Sequence, residues 1–172
     1  VYEPNPIAWD SKAIPKDFIF QLLPENLEHF EQLMLPAVER VPALENAGIR
    51  KLMNGPESFT PDGNFILGEA PEVKNYFVGA GFNAFGIAAA GGAGKALAEW
   101  ILAGEPPMDL WVVDIRRFSK IHQNENWVRN RTLELYGKHY TLSWPHEEHE
   151  SGRPFLTSPI YEKLKDQGAC FG

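Results

Sequence analysis

The chain has 172 residues, 44% hydrophobic and 23% charged, which suits one ordinary domain or two small ones with a real apolar core. A formal net charge of −7 and the lack of a basic stripe exclude a nucleic-acid surface. The longest apolar stretch, within 76–101, is broken by glycines, Asn83, Lys95 and Glu99 and cannot serve as a membrane span, and with Cys170 as the only cysteine a disulfide framework is excluded.

Residues 1–23 open with Pro4 and Pro6, which forbid a helix and favour extended chain, and Phe18–Leu23 is apolar enough for a short strand. Residues 24–43 read as a helix. Pro24 suits a first turn, Glu25 and Glu28 complement the positive end of the dipole, and Leu27, Phe30, Met34 and Val38 recur on one face. Pro36 inside this pattern predicts a kink or a split. Residues 49–70 read as a hairpin, with Ile49–Met53 and Phe65–Gly68 as its arms around the turn Thr60-Pro61-Asp62-Gly63.

Tyr76-Phe77-Val78-Gly79-Ala80-Gly81 reads as a strand entering a glycine-rich turn. A helix follows to Leu102, closed by Gly104 and Pro106-Pro107. Leu110–Ile115 reads as a strand, 124–137 as a helix, and 160–167 as a short helix after a turn-rich stretch. The nearly all-round small and apolar character of Gly91–Leu102 predicts an exposed apolar face on that helix.

The Gly79–Gly94 turn is the first candidate site. A strand running into a helix through small residues leaves N-terminal amides free to meet an anionic oxygen. Glycines also let a planar or phosphorylated ligand approach the backbone. The dinucleotide fingerprint is incomplete, because Ala84 stands where its next glycine belongs. On the residues alone, close helix–strand packing and cofactor contact are equally good readings. The loop Asn54–Gly63 sets a carboxylate, two hydroxyls and an aromatic beside a tight turn, and a self-capped turn explains it without function. His146-Glu147-Glu148-His149-Glu150 has two histidines three apart, but Pro145 and Gly152 bracket it and a solvated acidic loop is the simpler reading. No nucleophile–base arrangement is recognisable, and the catalytic residues are unknown.

Taken together and in order, these segments resemble a known family. They are Asn54–Gly63, Leu67-Gly68-Glu69-Ala70-Pro71, Tyr76–Asn83, Gly91–Gly94, Leu97–Ile101, Gly104–Pro107, Asp114–Phe118, Trp127–Arg131, Ser151–Pro154 and Gln167–Phe171. They resemble the FAD-dependent sarcosine and dimethylglycine dehydrogenases, with the later motifs more like the sarcosine enzymes. The resemblance implies an α/β, or mixed α+β, fold. Residues 1–70 would end a mixed-sheet substrate domain, 71–104 would be the last strand and helix of a Rossmann-type FAD domain, and 105–172 would lead into a central domain. Val1 in place of Met and the abrupt end at Gly172 fit an internal piece, with a processed mature domain as the alternative.

By the same resemblance, Gly81, Phe82, Ala84, Phe85, Gly86, Ile87 and Ala88 would lie at the flavin, and Glu57, Ser58, Phe59 and Thr60 on the amine-substrate side. The implied reaction is oxidation of an N-methyl group of a small amino acid, with hydride passing to FAD. Electrons would go to an electron-transfer flavoprotein and the one-carbon unit to tetrahydrofolate, bound in a part of the parent beyond this chain. No metal, nucleic-acid or membrane partner is expected. The compartment would be the mitochondrial matrix in a eukaryote and the cytoplasm in a bacterium. The competing expectation is a non-catalytic relative, similar to the regulatory subunit of pyruvate dehydrogenase phosphatase.

Overall fold

The computed structural model describes residues 14–171, so the extended start expected before Ile14 lies outside the described residues. The chain divides into two compact units, Val1–Glu57 and Ser58–Gly172.

The first unit is built on α1, Leu27–Arg40. It is capped at Asn26 and does not begin at Pro24, because the Asn26 side chain accepts from the His29 amide at 3.0 Å and so satisfies a free helix donor. Phe30, Leu33, Met34, Ala37 and Val38 are half-buried, as their three-and-four spacing predicts. The helix runs through Pro36 as one element. The proline only removes the amide that would bond the Gln32 carbonyl. A 3-10 turn at Pro42–Asn46 follows.

Two expected strands of this unit do not form. At 18–23, turn bonds take the amides of Phe18 (to Pro15, 3.0 Å) and Ile19 (to Asp17, 2.9 Å), and Phe20 has φ +51°. Only Leu23 pairs, as an isolated bridge to Asn54 (N–O 2.7 Å). Ile49–Met53 is irregular as well. With no neighbouring strand to take their amides, weakly alternating segments gain nothing from extension.

In the second unit, the sheet is a hairpin of β1 (Ile66–Glu69) and β2 (Phe77–Ala80). They pair antiparallel, Ile66 opposite Ala80 and Glu69 opposite Phe77. The partner of β1 is therefore β2, not 49–53. The turn at 60–63 does form, with Gly63 at φ +74°. The hairpin loop is 70–76, closed by Ala70 N to Tyr76 O at 2.8 Å and by Asn75 N to Glu69 Oε1 at 2.6 Å. On its other edge β1 meets Asp114 in a parallel bridge, with Leu67 N donating to Val113 O at 2.8 Å. The expected strand at 110–115 is thus reduced to one pairing. The Val113 and Asp114 amides turn back to Leu110 O at 2.9 and 2.8 Å.

α2 (Gly86–Ala103) packs on this hairpin through Ala93, Ala96 and Trp100. Gly68 makes that possible, since it has φ +113° and a Cβ there would sit 2.6 Å from the Trp100 ring. The core joins Leu67, Ala93 and Val113, with Phe65, Phe82, Leu97 and Leu110 against them. Burying a side chain the size of Leu67 contributes about 1.5–3 kcal/mol. The other side of α2 is open: Ile87 is 98% exposed and Leu102 88%, and Gly91, Gly92 and Gly94 have no neighbours within 4 Å of a Cβ. This is the exposed apolar face expected from the sequence. Gly104 ends α2 in the left-handed conformation, as read from sequence.

α3 (Glu125–Lys138), capped by the Asn124 side chain, and α4 (Tyr161–Asp166) lie close to their expected ranges. Among the described residues no helix is long and apolar enough to cross a membrane.

Candidate functional site

β2 delivers the chain into a turn whose backbone is left-handed at three neighbouring places: Gly81 (φ +62°), Asn83 (φ +48°) and Ala84 (φ +69°). Such values are rare for residues with a Cβ and persist only where the surroundings enforce them. They swing the chain sharply from strand to helix, so that α2 begins at Gly86 one residue after Phe85. No side chain caps this N terminus. The first amides of an 18-residue helix therefore carry the positive end of its dipole without a side-chain acceptor. Around them Ala84, Phe85, Ile87 and Ala88 are exposed.

The glycines here have separate causes. A Cβ at Gly81 would stand 2.6 Å from the Thr60 methyl, so packing demands that glycine, while one at Gly79 would be tight, at 3.2 Å from Leu97 Cδ1, and needs only a small shift of that side chain. At Gly86 a Cβ would meet only Phe82, at an ordinary 3.5 Å. Packing does not require that glycine, and its bareness keeps the helix terminus accessible.

The turn is held by Asn83, 1% exposed, and Thr60, 4% exposed. Asn83 N donates to Ser58 O (3.0 Å), and Asn83 Oδ1 accepts from Thr60 N (2.9 Å). Asn83 Nδ2 donates to Gly81 O (2.6 Å) and to Thr60 Oγ1 (3.2 Å). The Thr60 hydroxyl in turn points its proton at Asn64 O (2.8 Å) and Asp62 Oδ1 (3.1 Å). Both buried polar side chains are thereby satisfied, which burial demands. Ser58, Phe59 and Thr60 are thus brought against the Gly81–Ala84 turn. Glu57, the last residue of the first unit, is exposed.

A second tie reaches the same loop. Arg117 Nε is 2.5 Å from Asp62 Oδ2, and its other nitrogens donate to Asp62 Oδ1, Asn64 O and Asp114 O. The Arg117 side chain is only 8% exposed and lies over the Phe118 ring. Asp114 receives a two-pronged bond from Arg116 at 2.6–3.0 Å. For both Asp62 and Asp114 burial favours the neutral acid, but hydrogen bonds led by these arginines outweigh it and hold the carboxyls below their usual range.

Phe59 and Phe85 flank the turn and contact His139, at 5.6 and 5.1 Å between ring centroids, while Phe59 meets Tyr136 edge-on at 5.1 Å. Sequence reasoning held Asp62 and Asn83 within its two candidate segments but assigned neither a role, and it missed Arg117, Tyr136 and His139. Asn83 alone left a signal, since asparagine tolerates left-handed backbone and directly follows Gly81-Phe82.

Away from the turn, Glu134 on α3 gathers the amides of Glu150 (2.9 Å) and Ser151 (2.9 Å), the Ser151 hydroxyl and Lys138. Burial opposes its ionisation, but these donors prevail and hold its carboxyl far below the ordinary glutamate value. The acidic loop closes here, with Glu147 bonded to Lys138 at 2.8 Å and His149 3.6 Å from Glu134. An open cleft of about 330 Å³ lies at the far end of α2, lined by Glu69, Lys74, Trp100 and Arg116 among others.

Comparison with known proteins shows the family. Residues 8–100 match the family described as FAD dependent oxidoreductase, and 103–158 match the FAD dependent oxidoreductase central domain. The chain is 43% identical over 99% of its length to the 4-methylaminobutanoate oxidase (formaldehyde-forming) of Paenarthrobacter nicotinovorans, covering 21% of that protein. It is 42% identical over 99% of its length to the mitochondrial sarcosine dehydrogenase of Homo sapiens, covering 18%. It is also 42% identical, over 96% of its length, to the mitochondrial pyruvate dehydrogenase phosphatase regulatory subunit of Mus musculus, covering 19%. The chain spans about a fifth of the length of these relatives.

Proposed function

The chain belongs to the FAD dependent oxidoreductase family, and on that premise we propose that it forms the flavin-facing turn and substrate-side loop of an amine dehydrogenase. The observation that carries this is the uncapped, exposed N terminus of α2, set on the strained turn at Asn83 and Ala84. The residues fit the group. Gly81, Phe82, Ala84 and Phe85 would border it, and the amides of Gly86, Ile87 and Ala88 would face an electron-rich edge. Positive dipole ends stabilise negative charge that develops there during reaction, and preorganised donors do so without reorganising. FAD, when bound, supplies the hydride acceptor.

The rest is done by the chain's own groups. Ser58, Phe59 and Thr60 shape the amine side, and the rings of Phe59 and Phe85 give it an apolar border. The substrate class is a small amino acid carrying an N-methyl group, such as sarcosine or dimethylglycine, oxidised at that methyl carbon. Electrons then leave to an electron-transfer flavoprotein, and the released one-carbon unit passes to tetrahydrofolate elsewhere in the parent. In this reading residues 71–104 complete a Rossmann-type FAD domain, 1–70 end the substrate domain, and 105–172 begin the central domain. A eukaryotic parent would work in the mitochondrial matrix and a bacterial one in the cytoplasm.

The similarity to the phosphatase regulatory subunit supports one second reading, a non-catalytic relative in which Ala84–Ala88 serve packing alone. Anaerobic addition of sarcosine, dimethylglycine and 4-methylaminobutanoate to the full-length protein separates the two. Bleaching of bound flavin by one amine is the expected result. A protein indifferent to all three belongs to the second reading.

A further inference from the structure

We propose that Asn83 is a positioning residue that sets the amine-side loop against the flavin-side turn, an inference that rests on the reading of the site given above. The buried Asn83 side chain bonds to both segments at once. Its Oδ1 takes the Thr60 amide at 2.9 Å, while its Nδ2 reaches Gly81 O at 2.6 Å and Thr60 Oγ1 at 3.2 Å. Its own amide holds Ser58 O at 3.0 Å. The Thr60 methyl fills the space where Gly81 lacks a Cβ, so the two segments also interlock sterically. Asn83 then passes directly, through Ala84 and Phe85, into the helix terminus that faces the cofactor.

The chemistry calls for an amide at this place. Aspartate would keep an acceptor for Thr60 but lose the donor to Gly81 O, and would set a carboxylate beside that carbonyl. Glycine would keep the left-handed backbone, at φ +48°, and lose every side-chain bond. Hydride transfer depends steeply on the alignment of donor and acceptor, and a displacement near 1 Å costs up to about a hundredfold. Asn83 is buried, and its side chain bonds to the two protein segments. Its effect is exerted through the relative placement of Ser58–Thr60 and Gly81–Ala88.

The test compares full-length wild type with Asn83→Asp, Asn83→Gly and Thr60→Val. Anaerobic stopped-flow mixing with the preferred amine gives the limiting rate of flavin reduction and the amine Kd separately. Hydrogen exchange at the Thr60 amide in the flavin-free protein reports the clasp itself. We expect both Asn83 variants to retain flavin, with Thr60 amide protection lost in Asn83→Gly and reduced in Asn83→Asp, which keeps the acceptor but not the bond to Gly81 O. Their limiting reduction rate should fall about tenfold or more, with a smaller change in Kd. Thr60→Val keeps the volume and should give a milder loss of rate. It stands in if an Asn83 variant does not fold. Lost protection with wild-type reduction rates, or a wild-type rate in Thr60→Val where it alone folds, overturns the inference. A wild-type protein that holds no flavin, or is reduced by no amine, instead overturns the functional reading and this inference with it.

Discussion

Replacing Gly81 by Ala tests the interlock between the turn and the loop quantitatively. Gly81 has φ +62°, and a left-handed residue with a Cβ costs about 1–2 kcal/mol. The new Cβ would also lie 2.6 Å from Thr60 Cγ2, and overpacking of this kind costs about 1–3 kcal/mol more. The expected loss is therefore about 2–5 kcal/mol of local stability. Thr60→Ser deletes the offending methyl and keeps the hydroxyl, at about 0.5–1.5 kcal/mol by itself. If the clash is real, the double variant should be better than the sum of the singles by about 1–3 kcal/mol, with the backbone cost remaining. The assay is native-state hydrogen exchange of peptides covering 58–64 and 77–85, read as free energies of local opening. Additivity within about 0.5 kcal/mol would falsify the claim that these atoms compete for one space.

Arg117→Met should loosen 60–64 by about 2 kcal/mol, the low end for a charged hydrogen bond pair because a third of Asp62 stays in water. Faster exchange of the Asn64 amide, which donates to Asp62, is the readout. Acid should open the contact between α3 and 150–151. Glu134 has its folded-state pKa depressed from 4.5, so its contribution is complete above that value and lost as pH falls through the lower folded value. Glu134→Gln should weaken the contact at neutral pH and flatten its acid dependence, followed by exchange of the Glu150 and Ser151 amides against pH. Gly152→Ala should displace the Trp127 indole, because Gly152 has φ +73° and the new Cβ would lie 2.5 Å from Nε1. A cost of about 2–5 kcal/mol is expected, with a shift in tryptophan emission.

Helix ends were legible where a stop residue stood, as at Gly104 for the end of α2. Strands were less so. Phe65–Gly68 reads as extended from its own residues, but its partner depends on which distant segment reaches it. Its partner in the fold is 77–80 and not 49–53. Leu110–Ile115 has strand composition yet coils, since Asp109 caps the Trp111 amide at 3.0 Å and starts a turn. The backbone of the candidate site was visible in its glycines. Its buried supports were not, because Arg117 lies 55 positions from Asp62 and no local pattern marks such a pair.

A flavin at the α2 N terminus is the central proposal. The most direct measurement is the visible absorbance spectrum of the full-length protein before and after anaerobic addition of amine. We predict a yellow protein, bleached by a small N-methylated amine. A colourless protein, purified from cells supplied with flavin, would contradict the account and leave Gly81–Ala88 as a packing turn.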